Sequence, residues 1–288
     1  MTRISYTVEP GTPRQLAKYY LKRRCGISST LWKKIKNSGQ FWLNGESVHA
    51  SQAFVEGGDT AEYELPAPKS AVEPVSMPLD IAYEDDYLLI AAKPAGMLTH
   101  PLTFEKDCTL ANAVMYHFQQ SGTACGCHPL YRLDRNTSGL VVFAKPAQLQ
   151  HQLSGHDRLH RFYKAIIQGI PADDIGTVDA PIGRQDGSII LHCVRSDGKR
   201  AVTHYKVLKR YDGYSLVELQ LETGRTHQIR VHMAHIGHPL LGDDLYGGSR
   251  SLIGRQALHA CKVEFEHPFT GERISVESPL PPDIQQLL

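Results

Sequence analysis

The stretch Tyr131-Arg132-Leu133-Asp134-Arg135-Asn136-Thr137-Ser138-Gly139-Leu140 places one carboxylate between two arginines and runs into the apolar segment Leu140-Val141-Val142-Phe143-Ala144. Polar turn residues followed by a continuous apolar run that ends at Lys145-Pro146 indicate a loop leading into a buried strand. We expect the two neighbouring guanidinium groups to keep Asp134 ionised. An ionised carboxylate on a loop can act as a nucleophile or general base, although Asp and Arg also form ordinary ion pairs on protein surfaces.

Four other segments combine charged, aromatic and turn-forming residues. They read Glu84-Asp85-Asp86-Tyr87-Leu88-Leu89-Ile90-Ala91-Ala92-Lys93-Pro94-Ala95-Gly96-Met97, Arg161-Phe162-Tyr163-Lys164-Ala165, Thr223-Gly224-Arg225-Thr226-His227-Gln228-Ile229-Arg230-Val231-His232, and Leu258-His259-Ala260 with His267-Pro268 further on. Together with residues 132–140, these segments resemble the motifs of the RluA-type pseudouridine synthases, in the order typical of that family. The resemblance covers roughly residues 80 to 283, and five ordered matches are far more specific than one short pattern.

The resemblance implies an isomerase that converts specific uridines in ribosomal or transfer RNA to pseudouridine. It identifies Asp134 as the catalytic carboxylate acting on a flipped-out uridine, Arg230 as its charge partner and Tyr163 as the stacking platform for the extracted uracil. The side chains then expected to contact RNA in this part of the chain are Arg132, Arg225 and His227. Two routes stay open: Asp134 attacks ribose C1′, or it starts an elimination by taking the C2′ proton.

One residue departs from the family pattern. The family usually has histidine before Arg-Leu-Asp, where this chain has Tyr131, so the packing of the loop and the choice of RNA stay open. An alternative interpretation is therefore a non-catalytic RNA-binding or ribosome-assembly protein on the same fold. A hydrolase acting on another glycosidic bond is less well supported, because no clear second carboxylate accompanies Asp134.

The N-terminal segment has a strongly basic stretch, although the net charge of the chain is only +1. Residues 14–36 contain eight basic side chains and no acidic one; they include Lys22, Arg23, Arg24, Lys33 and Lys34. Such an asymmetry is typical of a nucleic-acid surface, and a solvated helix face is the alternative. We therefore predict a small basic RNA-binding module over residues 1–65, a proline-rich linker over residues 66–78 and a catalytic domain over residues 79–288.

The module has a recognisable order of elements. The patterns predict a helix over residues 15–24, a second helix capped by Ser28-Ser29-Thr30, and a hairpin that turns at Asn44-Gly45. This order resembles the αL RNA-binding module first seen in ribosomal protein S-four, a small α/β unit that often precedes the catalytic domain in the same synthase family.

For the catalytic domain we predict an α+β fold with a mixed, largely antiparallel β-sheet flanked by helices, as in the pseudouridine synthase fold. Predicted strands cover residues 87–92, 140–144, 163–168, 201–208, 214–221 and 262–265. Predicted helices cover residues 109–118, 148–158 and 226–236. In the last of these, Thr226 is expected to cap the N-terminus, and Ile229, Met233 and Ile236 to form the buried stripe.

The remaining patterns bear on cofactors, metals and compartment. The dinucleotide and nucleoside-triphosphate fingerprints are absent, so we expect no cofactor. Cys125-Gly126-Cys127-His128 and the histidines at 227, 232, 235 and 238 invite a metal interpretation, but free thiols, helix packing and RNA contacts are the favoured alternatives. The chain lacks a long apolar run and a secretory signal, so we expect a cytoplasmic protein, not a membrane protein. The family resemblance implies a monomer.

Overall fold

The computed structural model describes residues 3–65, 72–123, 125–153 and 158–288. Two main sheets organise this part of the chain, a four-stranded one near the N-terminus and a ten-stranded one in the remainder. The stretch 66–71 of the predicted linker lies outside the described residues, whereas residues 72–79 contain no helix or strand. Asn112 Nδ2 donates to the carbonyl of Glu73 at 2.7 Å, which ties the end of this connection to a helix of the larger body.

The N-terminal region packs two short helices against the small sheet. Its elements are β1 (Ile4–Thr7), β2 (Gln15–Leu16), α1 (Ala17–Arg23), α2 (Ser29–Ser38), β3 (Gln40–Leu43), β4 (Glu46–Ser47), β5 (Phe54–Val55) and β6 (Thr60–Glu64). The sheet order is β1-β6-β3-β4. Trp32 and Ile35 from α2 join Phe41 and Tyr63 from the sheet in one buried core.

The helix cap and the hairpin turn predicted for this region are both present in the structure. Ser28 accepts a hydrogen bond from the Leu31 amide at 3.1 Å and caps α2. Asn44 and Gly45 both have positive φ angles, 53° and 82°, as the tight turn of a two-residue hairpin requires. The first helix begins later than predicted, because Gln15–Leu16 pair with β5 as a short strand.

The larger body is built around the ten-stranded sheet. Its elements are β7 (Asp80–Glu84), β8 (Leu88–Lys93), α3 (Leu110–Gln120), β9 (His128–Pro129), β10 (Ser138–Ala144), α4 (Ala147–Leu153), β11 (Leu159–Gln168), β12 (Ile175–Asp179), β13 (Ile182–Arg184), β14 (His192–Val194), β15 (Val202–Arg210), β16 (Tyr214–Leu221), α5 (Gln228–His235), a 3-10 turn (Asp244–Tyr246), β17 (Leu258–Glu266), β18 (Arg273–Glu277) and α6 (Pro282–Gln285).

The main path of the sheet runs β12-β15-β16-β11-β17-β10-β8-β7, with β18 added to β17 and β9 to β10. The pairing of β10 with β17 is parallel, and the other pairs along the sheet are antiparallel. The predicted α+β class with a mixed, largely antiparallel sheet is therefore confirmed. Within the described ranges, no helix combines the length and the apolar character needed to cross a bilayer.

Strand β10 lies between two hydrophobic cores, one on each face of the sheet. Val141 and Phe143 face one buried cluster, whereas Leu140, Val142 and Ala144 face another on the opposite side of the sheet. A strand covered on both faces needs apolar side chains at every position, which explains the continuous run that the sequence shows. The helix predicted over residues 148–158 ends at Leu153, and Arg158 directly precedes β11; residues 154–157 lie outside the described part.

Candidate active site

The loop before β10 is held on both sides of Asp134. Thr99 Oγ1 bonds both the amide and the carbonyl of Leu133, at 3.1 and 3.2 Å. On the other side, Lys93 Nζ and the Gly96 amide each donate to the Arg135 carbonyl at 2.9 Å. The Asp134 side chain remains 27% exposed at this fixed position, so it is accessible to a substrate.

Arg230, on helix α5, is the cation that contacts Asp134. Its Nη1 donates to Asp134 Oδ2 at 3.1 Å, while its Nε and Nη2 donate to Asp243 at 2.7 and 2.8 Å. Burial opposes the charge of Arg230, but the hydrogen bonds and charges of Asp243 and Asp134 outweigh that effect and raise the Arg230 pKa above its ordinary value. The predicted pairing of Asp134 with Arg230 is thus present as a single charge-assisted hydrogen bond, longer than the two that Arg230 makes to Asp243.

The arginines beside Asp134 in the sequence have other positions. Arg135 forms a two-pronged pair with Glu105, at 2.6 and 3.0 Å, and Arg132 is exposed without a hydrogen-bond or ion-pair partner in the described chain. Neither arginine forms a hydrogen bond or ion pair with Asp134 in the described chain, and Arg230 makes that contact instead. Successive side chains of an extended segment point in opposite directions, so direct neighbours are poorly placed to reach each other.

His227 also lies beside the carboxylate. Its Nε2 is 3.8 Å from Asp134 Oδ2, and its Nδ1 is 2.8 Å from the hydroxyl of Tyr246. Burial lowers the pKa of His227, with the positive charge of Arg230 adding to this and the negative charge of Asp134 opposing it. The imidazole is therefore neutral around neutral pH.

The start of α5 differs from the predicted cap at Thr226. His227 is the N-cap residue and has a left-handed backbone with φ 56°. Gln228 accounts for this start, because its Oε1 accepts from Thr223 Oγ1 at 2.7 Å and from the Arg225 amide at 3.0 Å. The turn thereby closes on the side chain of Gln228 and presents His227 to Asp134. Ile229 and Met233 are buried as predicted, and Ile236 packs against the same core.

Tyr163 lies in β11, is 4% exposed and belongs to the core below the site. Burial raises the pKa of its hydroxyl; the charge of Arg161 opposes this rise and that of Asp134 adds to it, so all three residues share one electrostatic neighbourhood. A platform role for Tyr163 would therefore use only the small part of the side chain that reaches the surface.

Arg161 is a residue of this neighbourhood that we did not single out from the sequence. Its Cζ lies 5.3 Å from the ring centre of Tyr131, and its buried Nε has no hydrogen-bond partner in the described ranges. A Cβ at Gly224 would stand 3.0 Å from Arg161 Nη1, so the glycine leaves room for the guanidinium. Tyr131 itself donates to the Leu140 carbonyl at 2.9 Å and closes the loop onto the strand.

Asp243 and Tyr246 are further residues that sequence reasoning missed. Both follow Gly242 in a turn that pattern analysis treats as a plain loop. Asp243 is 1% exposed and pairs with Arg230, and Tyr246 contacts both His227 and Arg230. No local sequence pattern predicts these contacts, because they join segments that meet only in the folded chain.

The other predicted RNA contacts lie apart from the residues that touch Asp134. Arg225 is half-buried and donates to the Arg200 carbonyl at 2.9 Å. On α1 and α2, Lys22 donates to Ser29 Oγ at 2.7 Å, and Arg23, Arg24, Lys33 and Lys34 are exposed. Within the residues described, none of these five side chains pairs with a carboxylate.

His232 in α5 and His238 just after it form hydrogen bonds inside the protein. His232 bonds Thr203 Oγ1 and the Ala180 carbonyl, both at 2.9 Å, and His238 bonds the Gln168 carbonyl at 2.9 Å. Over the part of the chain that the structure covers, no three His, Cys, Asp or Glu side chains are grouped to hold a metal ion.

Comparison with known proteins identifies the family. A sequence profile described as RNA pseudouridylate synthase matches residues 87–235. An uncharacterized RNA pseudouridine synthase of Bacillus subtilis, YhcT, is 46% identical over 255 residues, which cover 86% of this chain and 84% of that protein. The ribosomal large subunit pseudouridine synthase D of Zymomonas mobilis is 42% identical over 282 residues, covering 91% of this chain and 88% of that protein.

A solved structure, human RNA pseudouridylate synthase domain containing 1, superposes with a TM-score of 0.58 at 28% identity, covering 74% of this chain and 89% of the human chain. The likeness agrees with the sheet architecture described above. The chain therefore belongs to the RluA-type family of RNA pseudouridine synthases, which isomerise uridine in RNA to pseudouridine.

Proposed function

We propose that Asp134 is the catalytic carboxylate and that it acts on a uridine extruded from the RNA. The observation that carries this proposal is the single hydrogen bond from Arg230 to Asp134 Oδ2, which leaves Oδ1 without a hydrogen-bond partner among the described residues. The arrangement holds Asp134 in one orientation and leaves one of its oxygens open.

The reaction breaks the bond from ribose C1′ to uracil N1 and forms a bond from C1′ to C5. Nothing is oxidised or carried to a cofactor, so a well-placed carboxylate and a site for the detached base are the main requirements. The free Oδ1 of Asp134 serves either attack on C1′ or removal of the C2′ proton. Both routes need an ionised carboxylate beside the ribose.

The extruded uracil requires a surface to rest on, and we propose that Tyr163 supplies part of it. Stacking on an aromatic ring contributes roughly 1–3 kcal/mol per base, which helps offset the cost of removing the base from its stack. Arg132, Arg225 and His227 are then the donors that we propose for RNA in this part of the chain, and Arg132 is exposed and free to reach it.

We propose ribosomal RNA as the substrate, with the enzyme acting as a cytoplasmic monomer. The support is that relatives at 39–42% identity are named ribosomal large subunit pseudouridine synthase D. Transfer RNA is the alternative. Mapping pseudouridines in RNA from cells with and without the gene distinguishes the two, because only the substrate loses a modified position.

We further propose that residues 1–65 form an RNA-binding module of the S-four type, that residues 66–78 link it to the body, and that residues 79–288 are the catalytic domain. Seven of the eight basic side chains between Arg14 and Lys36 are exposed, which suits contact with phosphates. The separate core around Trp32 and Tyr63 also supports a distinct unit.

The catalytic proposal is tested with cellular RNA that carries tritium at uracil C5, since C5 loses its hydrogen when it accepts the ribose. The protein should release tritium, and Asp134→Asn should lower the rate by roughly 10²–10⁴-fold or more. Asp174→Asn is the matched control, because Asp174 is exposed and pairs with Arg210. Equal release by wild type and Asp134→Asn would remove Asp134 from its role, and no release by wild type would favour the non-catalytic RNA-binding alternative.

A further inference from the structure

Tyr246 contacts three parts of the site at once. The backbone amide of His192 donates to its hydroxyl oxygen at 3.1 Å, and the same hydroxyl lies 2.8 Å from His227 Nδ1. The Cζ of Arg230 lies 5.0 Å from the centre of its ring. Both side chains that approach Asp134, His227 and Arg230, are therefore supported by this one tyrosine.

The partners of the Tyr246 hydroxyl bear on which nitrogen of His227 carries the proton. Burial raises the pKa of Tyr246, so the phenol stays protonated. The His192 amide can only donate to this hydroxyl, and His227 Nδ1 is its one possible acceptor within hydrogen-bond distance among the described residues, so the proton of Tyr246 is directed to His227 Nδ1. A neutral imidazole that accepts at Nδ1 carries its own proton at Nε2.

The Nε2–H of His227 is then a donor without an acceptor. It lies 3.8 Å from Asp134 Oδ2, which is too far for a hydrogen bond, and it has no other hydrogen-bond partner in the described ranges. The His227 side chain is 14% exposed, and the side chain of Asp134 beside it is 27% exposed. The charged groups that act on His227 are Asp134, Arg230, His192 and Asp243.

We propose that Tyr246 is a positioning residue that locks His227 with its proton on Nε2, and that this N–H donates to a carbonyl oxygen of the bound uracil. The inference rests on the proposed role of Asp134, because it places the uridine beside that carboxylate. When the bond from C1′ to N1 breaks, its electron pair stays on the uracil, and negative charge spreads onto the carbonyl oxygens. A fixed donor at such an oxygen strengthens as the charge develops and so lowers the barrier.

The position of the proton is measured directly by nitrogen NMR of the full chain labelled with ¹⁵N-histidine at about pH 8, above the ordinary histidine pKa of about 6.5. The His227 signals are assigned by their loss in His227→Gln. We expect a protonated Nε2 in the wild type and a mixture of both tautomers in Tyr246→Phe, which keeps the ring under Arg230. A protonated Nδ1 in the wild type, or an identical tautomer in Tyr246→Phe, would overturn the inference.

Kinetics of tritium release test whether the Nε2–H of His227 donates to the uracil during the reaction. We expect Tyr246→Phe and His227→Ala to lower kcat by about tenfold with KM changed less than about twofold, because the bond gains strength only as charge develops. His227→Gln keeps an N–H donor and should recover part of the loss. Tyr214→Phe is the matched control, since its hydroxyl donates to the Leu287 carbonyl at 3.0 Å, outside the site. An unchanged kcat in His227→Ala would reject the donor role.

The two measurements separate this inference from the proposed function. Wild-type protein that releases no tritium contradicts the proposed function, yet the tautomer of His227 can still be read by NMR. The opposite outcome is an active wild type, an inactive Asp134→Asn variant and a His227 tautomer that is the same in wild type and Tyr246→Phe. That outcome contradicts the inference and leaves the proposed function intact.

Discussion

At the scale of single residues, Arg230 contacts two carboxylates, Asp243 and Asp134, in different ways. Asp243 takes two of its donors and is buried, whereas Asp134 takes one and is partly exposed. Without Asp243, the planar guanidinium would be free to bind both oxygens of Asp134. The second carboxylate thus limits Arg230 to Oδ2 and leaves Oδ1 of Asp134 open for the proposed chemistry.

Replacing Asp243 should therefore harm both stability and rate. In Asp243→Asn the buried Arg230 loses a charged partner, and we expect a loss of roughly 3–5 kcal/mol in the free energy of unfolding, measured with urea. Tritium release should fall roughly 10–100-fold at a temperature where the variant is folded, because the guanidinium shifts onto Asp134. A variant with wild-type rate would show that Arg230 keeps its position without this contact.

Lys93 makes the stability of the loop that carries Asp134 depend on pH. Its ammonium group is buried and donates to the carbonyls of Pro94, Met97 and Arg135 at 2.7–2.9 Å. Burial lowers the pKa of Lys93 from 10.5 to about 7, with the charge of Asp134 opposing this and those of Arg255 and Arg135 adding to it. The cost of burying the charged amine applies in full below about pH 7.

The sign of the resulting effect follows from proton linkage. Between about pH 7 and 10.5 the unfolded chain binds more protons at Lys93 than the folded one, so this residue makes stability rise with pH across that window. Lys93→Met should remove the rise, which is on the order of a few kcal/mol. Urea unfolding at several pH values measures it, and parallel curves for wild type and Lys93→Met would contradict the prediction.

Several site residues could be predicted from the sequence, and others could not. Asp134, Tyr163, Arg230 and His227 stand in motifs whose order identifies them, and the structure gathers them around one carboxylate. Asp243 belongs to no such motif. The role of Asp243 depends on its ion pair with Arg230, which lies 13 residues earlier in the chain and meets Asp243 only in the folded protein.

At the scale of elements, the junction of β10 with β17 requires glycine. Gly139 pairs with Ala260 across the parallel contact and has a φ angle of 116°. A Cβ at this position would stand 2.2 Å from the Ala260 carbonyl oxygen. The glycine of the catalytic motif therefore serves the close approach of two strands, five residues after Asp134.

Gly139→Ala should consequently destabilise the fold by roughly 2–5 kcal/mol, because it combines a strained φ angle with a backbone clash. Gly254→Ala is the matched control, since no heavy atom lies within 4 Å of its Cβ position and its φ angle is not in the left-handed region. Thermal unfolding of the two variants provides the measurement. A Gly139→Ala protein as stable as Gly254→Ala would show that the strands separate at little cost.

Element boundaries were predictable where burial is periodic. Strand β16 has the predicted bounds, because buried and half-buried positions alternate over its second half, from Val217 to Leu221. Strand β12 was missed, since Val178 is its one buried residue and the edge position leaves no apolar pattern. The wrong cap at Thr226 has another cause: the side chain of Gln228, not a residue ahead of the helix, closes the turn.

At the scale of the whole molecule, the basic N-terminal region rests on the larger body. Gln152 Nε2 donates to the Cys25 carbonyl at 2.9 Å, and the Tyr6 hydroxyl bonds the side chain of Gln148. The rings of Tyr6 and Phe269 lie 6.0 Å apart. Charge clustering predicted a basic surface, but the sequence had no signal for these contacts, because each joins residues more than 100 positions apart.

The basic surface should control how RNA binding responds to salt. We replace four exposed side chains of α1 and α2 together with Ala: Arg23, Arg24, Lys33 and Lys34. If each contacts one phosphate, the slope of log affinity against log salt should become shallower by about 3, because fewer counterions are released. A charge-matched control replaces four exposed basic residues of the larger body, namely Lys206, Lys209, Arg210 and Arg273. Turnover on a minimal stem-loop should survive, since Asp134 and its partners are untouched. An unchanged slope in the quadruple variant would mean that this surface faces solvent when RNA is bound.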